Sequence, residues 1–159
     1  MTKKNKKNLA AEGQVIKEEA EKLLSFLGVS AECEVEEKDD VFEVLLKSED
    51  SGIIIGHHGD TLDGLQLVLS LLVEKKLGEF RQITLDIGDY KKKRIENLTQ
   101  MAQDIKERVL SNGDEVSIPM LKSWERRIIH LVLKEDDSVS SESVGEGKER
   151  TLVVKPKES

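Results

Sequence analysis

Hydrophobic residues recur along this chain with two periods, which divide it into short helices and strands. Residues 14–27 follow the period of a helix, and Gly28 ends the run. Two alternating stretches at 31–36 and 42–46 then predict strands joined by a turn at 38–40. The positions predicted to face inward are Ala31, Cys33, Val35, Phe42, Val44 and Leu46.

A helix, a short loop and a second helix are predicted next. Three isoleucines at 53–55 predict a buried turn that stops at Gly56. The second helix is predicted to run to about residue 77, with Asp60 as its N-cap and Asp63 as a carboxylate in its first turn. This helix is apolar around most of its circumference, which predicts that it is buried. Its apolar residues are Leu62, Leu65, Leu69 and Leu72 on one stripe, and Leu67, Val68 and Leu71 beside it.

A third strand at 80–87, with Ile83, Leu85 and Ile87 inward, completes a first unit that ends near Gly88. The remaining pattern predicts a helix at 90–110, a strand at 115–118, a helix at 124–133, and two strands at 138–144 and 150–155 joined by a glycine-rich hairpin. The predicted fold class is therefore α+β, with two small domains at 13–88 and 89–159. Residues 1–12 are polar and basic and are predicted to form a disordered tail.

Charge is distributed unevenly. The 159 residues carry a net charge of −7, and residues 29–50 hold nine acids against two lysines, which accounts for that whole excess. The acidic total therefore does not exclude a nucleic-acid partner, because basic clusters remain at 3–7 and 91–94. A single cysteine excludes an intramolecular disulfide and a cysteine-built metal site. Without a long apolar run or a signal-like segment, the cytoplasm is the default expectation.

The loop Gly56-His57-His58-Gly59 joins the two helices of the first unit. Glycines permit close approach of a backbone, and the first N–H groups of the following helix attract an anion, which suits a nucleic-acid phosphate. The alternative is an ordinary helix–helix turn, because Gly-x-x-Gly is a common connection.

Arg126 and His130 are four residues apart, so they share one helix face in the second unit. Together they offer donors to phosphate oxygens and flat surfaces on which a base can stack. A salt-bridged surface arginine beside a partly buried histidine is the alternative, and Arg150 on the last strand is ambiguous in the same way. We interpret Trp124 as core or hinge packing, with base stacking as the second interpretation.

These motifs resemble a known family. Ile54-Ile55-Gly56-His57-His58-Gly59, followed by Thr61-Leu62, resembles a KH domain of the bacterial topology, and Arg126 with His130 resembles an R-three-H domain. In tandem they resemble the Jag family, the SpoIIIJ-associated RNA-binding proteins of bacteria. The resemblance implies a three-stranded sheet with helices on one face, followed by helices on a second small three-stranded sheet. KH loops commonly hold a lysine or arginine where this one has histidines, which are mostly uncharged at neutral pH.

The resemblance implies a non-catalytic bacterial regulator, post-transcriptional or of the cell envelope and cell division, that binds single-stranded RNA and uses no cofactor or metal. Single-stranded DNA and another small KH protein are further candidate partners. The residues expected to contact nucleic acid are Gly56, His57, His58, Gly59, Thr61, Lys91, Lys92, Arg126, His130 and Arg150.

Two hypotheses from other classes remain. An enzyme could use the three histidines for acid–base chemistry or metal binding, but the sequence has no His-x-x-x-His pair and no glycine-rich lysine motif for a nucleotide. A protein-interaction adaptor could dock a partner through the acidic hairpin and the second domain.

Overall fold

A computed structural model describes residues 3–157, with side chains from residue 8 onward, and the chain divides after Tyr90 into two units. The elements up to that point are α1 (Lys3–Phe26), β1 (Glu32–Lys38), β2 (Val41–Lys47), α2 (Ser51–Ile55), α3 (Asp60–Leu77) and β3 (Gln82–Ile87). Then follow α4 (Tyr90–Asn112), β4 (Val116–Ile118), α5 (Ser123–Lys134), β5 (Val139–Val144) and β6 (Thr151–Pro156). The predicted order of elements and the α+β class are confirmed.

The first sheet has the order β1-β2-β3, in which β1 runs antiparallel and β3 parallel to β2. Asp39 and Asp40 both have positive φ, 52° and 64°, which is the conformation that a two-residue hairpin turn requires. The inward residues of β2 and β3 are buried as predicted, namely Phe42, Val44, Leu46, Ile83, Leu85 and Ile87. They form one core with apolar residues of α1, α2 and α3.

The predicted disordered tail is wrong over residues 3–12, because α1 begins at Lys3; residues 1 and 2 lie outside the described residues. Leu9 packs against the core. Glu12 is 6% exposed and accepts hydrogen bonds from Arg81, at 2.7 Å from Nε and 3.1 Å from Nη2. The sequence pattern could not show this, because the partner that fixes the helix lies 69 residues further along the chain.

The prediction that α3 is a buried helix is wrong for its outer side. Only one stripe is buried, and Val73 takes the place predicted for Leu72. Four apolar residues of α3 are exposed, namely Leu67 (61%), Val68 (42%), Leu71 (57%) and Leu72 (36%). Likewise, Ile54 is the one fully buried isoleucine of α2, while Ile53 is 61% exposed. A two-layer unit of this size covers one side of each helix and leaves the other side open.

The second sheet has the order β4-β6-β5 with antiparallel pairing. Its core combines α4, α5, β5, β6 and the loop before α5, and Val116 and Ile118 of β4 pack against it. The buried core residues are Leu98, Ala102, Val109, Leu121, Ile129, Leu133, Val139, Leu152 and Val154. Ile95, predicted on the buried stripe of α4, is 41% exposed. Trp124 is 39% exposed and is not a member of this core, so the core-packing interpretation is wrong.

The Glu12–Arg81 pair generates a stability prediction. We expect Glu12→Ala to lower the free energy of unfolding by about 1–3 kcal/mol, because the partly buried guanidinium of Arg81 loses its buried partner and keeps only the exposed Glu79. Glu21→Ala, which removes an exposed acid of α1 held 3.9 Å from Lys17, is the matched control and should change it by less than about 0.5 kcal/mol. Urea denaturation followed by circular dichroism measures both, and equal stabilities would show that the start of α1 is not anchored through Glu12.

Candidate nucleic-acid interface

The glycine loop of the first unit is a tight turn between α2 and α3. α2 stops at Gly56, whose N–H donates to the carbonyl of Gly52 at 2.9 Å, and one 3₁₀ turn, His57–Gly59, follows. Gly59 has φ 79° and occupies the N-cap of α3. The predicted cap at Asp60 is therefore wrong, because Asp60 is already the first helical residue; Asp60 and Asp63 both lie in the first turn.

Both glycines are required by contacts within the chain. A Cβ on Gly56 would lie 2.0 Å from the Oγ1 of Thr61, and a Cβ on Gly59 would lie 2.9 Å from the hydroxyl of Tyr90. Both glycines also have a positive φ, which residues with a Cβ rarely adopt. The Gly-x-x-Gly pattern thus has a structural cause of its own, and Tyr90, which the sequence reasoning missed, is part of it.

The loop presents two imidazoles to the outside. His57 and His58 are exposed, and their rings meet edge to face with centroids 4.1 Å apart. His58 has φ 51°, which turns the chain back toward the start of α3. An anion at this loop would meet imidazoles and the first N–H groups of an 18-residue helix, together with the acids of its first turn.

In the second unit, three predicted residues come together. Arg126, His130 and Arg150 all line one cleft of about 310 Å³, which we call the α5 cleft. Its remaining lining residues are Ser123, Arg127, Glu142 and Ser143. The helical spacing of the first two was readable in the sequence, whereas Arg150 reaches the cleft only because β6 pairs with β5.

Arg126, the arginine of the motif, is largely internal. It is 9% exposed, and its guanidinium donates to the carbonyl of Leu121 at 2.5 Å and to the Oγ of Ser123 at 3.1 Å. These bonds already use part of its donor capacity. Its role as a nucleic-acid contact stays a prediction. The next residue, Arg127, is exposed and makes no ion pair with any carboxylate among residues 8–157.

His130 is held by a hydrogen bond between its Nδ1 and the Oγ of Ser141, 2.8 Å apart. This contact fixes the ring orientation and leaves Nε2 for a ligand. Glu142, the acid of the cleft, binds the ammonium of Lys155 at 2.9 Å, which offsets its charge. The sequence did not indicate Ser141 or Arg127 as site residues. Ser141 belongs to no recognisable motif, and Arg127 follows the motif arginine Arg126 directly, so the spacing to His130 pointed to Arg126 instead.

Lys91 and Lys92 lie in the first turn of α4 and are not among the residues that line the α5 cleft. Burial raises the pKa of the Cys33 thiol to about 11, so this thiol is protonated and behaves as an apolar core residue. Within residues 3–157 no cluster of three or more potential metal ligands occurs, and no helix there is long and apolar enough to cross a membrane.

Comparison with known proteins identifies both units. Residues 13–87 match the KH domain of KhpA/KhpB, and residues 96–156 match the R-three-H domain. The KH and R-three-H assignments made from the motifs are therefore confirmed.

Several relatives are each named RNA-binding protein KhpB. The protein of Clostridium symbiosum is 35% identical over 128 residues, covering 80% of this chain and 58% of that protein. The protein of Bacillus subtilis is 30% identical and covers 77% and 60%, and that of Streptococcus pneumoniae serotype 2 is 32% identical and covers 69% and 33%. The chain thus spans less than two thirds of the length of these relatives.

The loop geometry predicts that Gly59 is needed for folding whether or not RNA binds. Gly59→Ala should be more destabilising than Gly28→Ala, although φ is positive at both positions, because only the former places a Cβ against Tyr90. We expect the strained backbone alone to lower the free energy of unfolding by about 1–2 kcal/mol in each variant. The clash with Tyr90 should lower it further in Gly59→Ala. Thermal unfolding of the two variants measures the difference, and equal losses would remove the Tyr90 contact from the explanation.

Proposed function

The chain belongs to the Jag family, to which KhpB also belongs, and on that premise we propose that it binds single-stranded RNA in the cytoplasm without catalysis, as a regulator. The observation that carries the proposal is the α5 cleft. Arg127 and Arg150 enter it without a carboxylate partner in the described part of the chain, beside the fixed ring of His130. Such donors bind phosphate oxygens, and basic grooves of this kind are used by proteins that bind single strands.

The glycine loop is the second proposed contact. Gly56, His57, His58, Gly59 and Thr61 lie at or beside the start of α3, where backbone N–H groups face an approaching phosphate. KH domains hold about four nucleotides at such a loop. Two short sites on one chain bind a longer strand more tightly than either site alone, because the second contact becomes intramolecular. Lys91 and Lys92 are proposed to add phosphate attraction.

We predict that Arg127→Ala with Arg150→Ala weakens binding of a single-stranded RNA of about 12 nucleotides by about tenfold or more, because charge-assisted phosphate contacts are lost. Each lost contact should also flatten the log-affinity versus log-salt slope by about 0.7. Fluorescence anisotropy of a labelled RNA over a salt series measures both. Arg108→Ala, at an exposed arginine of α4 outside the cleft, is the control that should leave them unchanged.

The same assay tests the loop. His57→Asp with His58→Asp sets two negative charges where a phosphate is proposed, so affinity should fall with little change in melting temperature. Parent-like binding and salt slope in both double variants would overturn the proposed function.

A second candidate function, docking of another KH protein, is favoured by the outer face of α3. This face consists of Gly64, Leu67, Val68, Leu71 and Leu72, all exposed. Gly64 stands in mid-helix, where glycine costs about 1 kcal/mol relative to alanine. A Cβ there would meet nothing within 4 Å, so no contact inside the chain requires the glycine. A glycine beside exposed leucines lets a second helix approach closely.

The charges at the two ends of α3 favour a helix of the same kind as the partner. Acids occupy its first turn and lysines its last. In an antiparallel pair of such helices, Asp63 of one approaches Lys75 of the other. This face, rather than the acidic hairpin, is the surface on which the adaptor hypothesis now rests.

The docking candidate predicts that Gly64→Gln acts in opposite directions on folding and association. The substitution should stabilise the isolated chain by up to about 1 kcal/mol, yet weaken its association with a single-domain KH protein encoded in the same genome. Leu67→Asp with Leu71→Asp should abolish that association. Sedimentation velocity of purified mixtures measures it, with Leu110→Asp as the control at an exposed leucine of α4. Association unaffected by either α3 variant would exclude this face.

A further inference from the structure

Trp124 is the one tryptophan of the sequence, and neither core holds it. Trp124, Arg127 and Leu131 are spaced by three and four residues, so they form one exposed ridge along α5. Ser123 and Arg127, which precede and follow the indole within one turn, both line the α5 cleft. The indole therefore lies at the rim of a concave, cationic surface and outside both cores, with 39% of its surface exposed.

We propose that Trp124 is a base-stacking platform: an unpaired nucleotide whose phosphate lies between Arg127 and Arg150 places its base on the indole. The inference rests on the proposed function and specifies how that site recognises a nucleotide. Stacking on an aromatic face tolerates every base, because all bases have a π surface. Arg127, one turn away, can extend the flat surface with its guanidinium.

The surroundings favour a nucleic acid over a protein as the occupant. Apart from Trp124 and Leu131, the exposed positions of α5 are Ser123, Arg127, His130 and Lys134, all polar or basic. The one carboxylate that lines the cleft, Glu142, is already bound to Lys155. An apolar protein surface laid on this ridge would have to desolvate several cations, whereas a nucleotide offers a phosphate and a ring together.

Because the sequence has one tryptophan, its fluorescence reports on this position alone when excitation avoids Tyr90. The experiment titrates the full chain with a labelled single-stranded RNA of about 12 nucleotides and records anisotropy of the label and emission of the indole. We expect the emission to be quenched along the same binding curve as the anisotropy. An abasic strand of equal length and charge should bind more weakly and leave the emission nearly unchanged.

Variants separate stacking from a role in folding. Trp124→Ala should weaken RNA binding by about 5-fold to 150-fold, the range found when one base–aromatic stack is lost, and Trp124→Phe should recover most of that loss. Leu131→Ala, on the same ridge, should bind like the parent. Should Trp124→Ala fold poorly, the quenching of the parent and the affinity of Trp124→Phe still decide the question.

Each other outcome is decisive. RNA binding with no change in indole emission overturns the stacking platform and leaves the proposed function intact, pointing to a protein as the occupant of the ridge. Equal quenching by the abasic strand overturns it as well, since the indole would then sense the backbone. If the parent binds no RNA at all, the proposed function fails and this inference fails with it.

Discussion

The candidate site in the second unit depends on one buried carboxylate. Glu125 is 1% exposed, and a charge at that depth must be paired and hydrogen-bonded. Its two oxygens accept from the Nε of Arg94 on α4 at 2.7 Å and from the backbone N–H of Lys122 at 2.8 Å. This arrangement holds the first turn of α5 against α4 and thereby sets which residues of α5 turn outward.

Arg126 completes that anchor. By donating to the carbonyl of Leu121, it ties the loop before α5 to the helix, and this bond occupies part of its guanidinium. The motif spacing of arginine and histidine therefore combines two roles on one helix face. Arg126 stabilises the start of the helix, and His130, oriented by Ser141, faces the cleft. Among the described residues, no buried side-chain polar atom lacks a hydrogen-bond partner, so the network is complete.

In the first unit the limiting factor is the amount of apolar surface that one sheet can cover. The sheet and α1 bury a single stripe of α3, and the exposed apolar residues on its far side follow from that two-layer arrangement. The glycine loop is tightened from both sides, by Thr61 on Gly56 and by Tyr90 on Gly59. The same contacts that explain the glycines also hold the exposed histidines at the start of α3.

The sequence by itself determined the order of elements, the α+β class and the inward residues of β2 and β3. These depend on the period of the hydrophobic residues and on the glycines that end helices, which are local properties of the chain. It also determined the two motifs, and hence the loop and the Arg126–His130 face. Tertiary structure alone decided that Glu12 of α1 is buried and paired, since its partner Arg81 lies beyond α3. It decided which side of α3 remains exposed and that Trp124 lies outside the core, since the sequence of a helix does not show which other elements will cover it. It also separated an internal Arg126 from an exposed Arg127, because adjacent, chemically identical side chains differ only in what the folded chain places beside each.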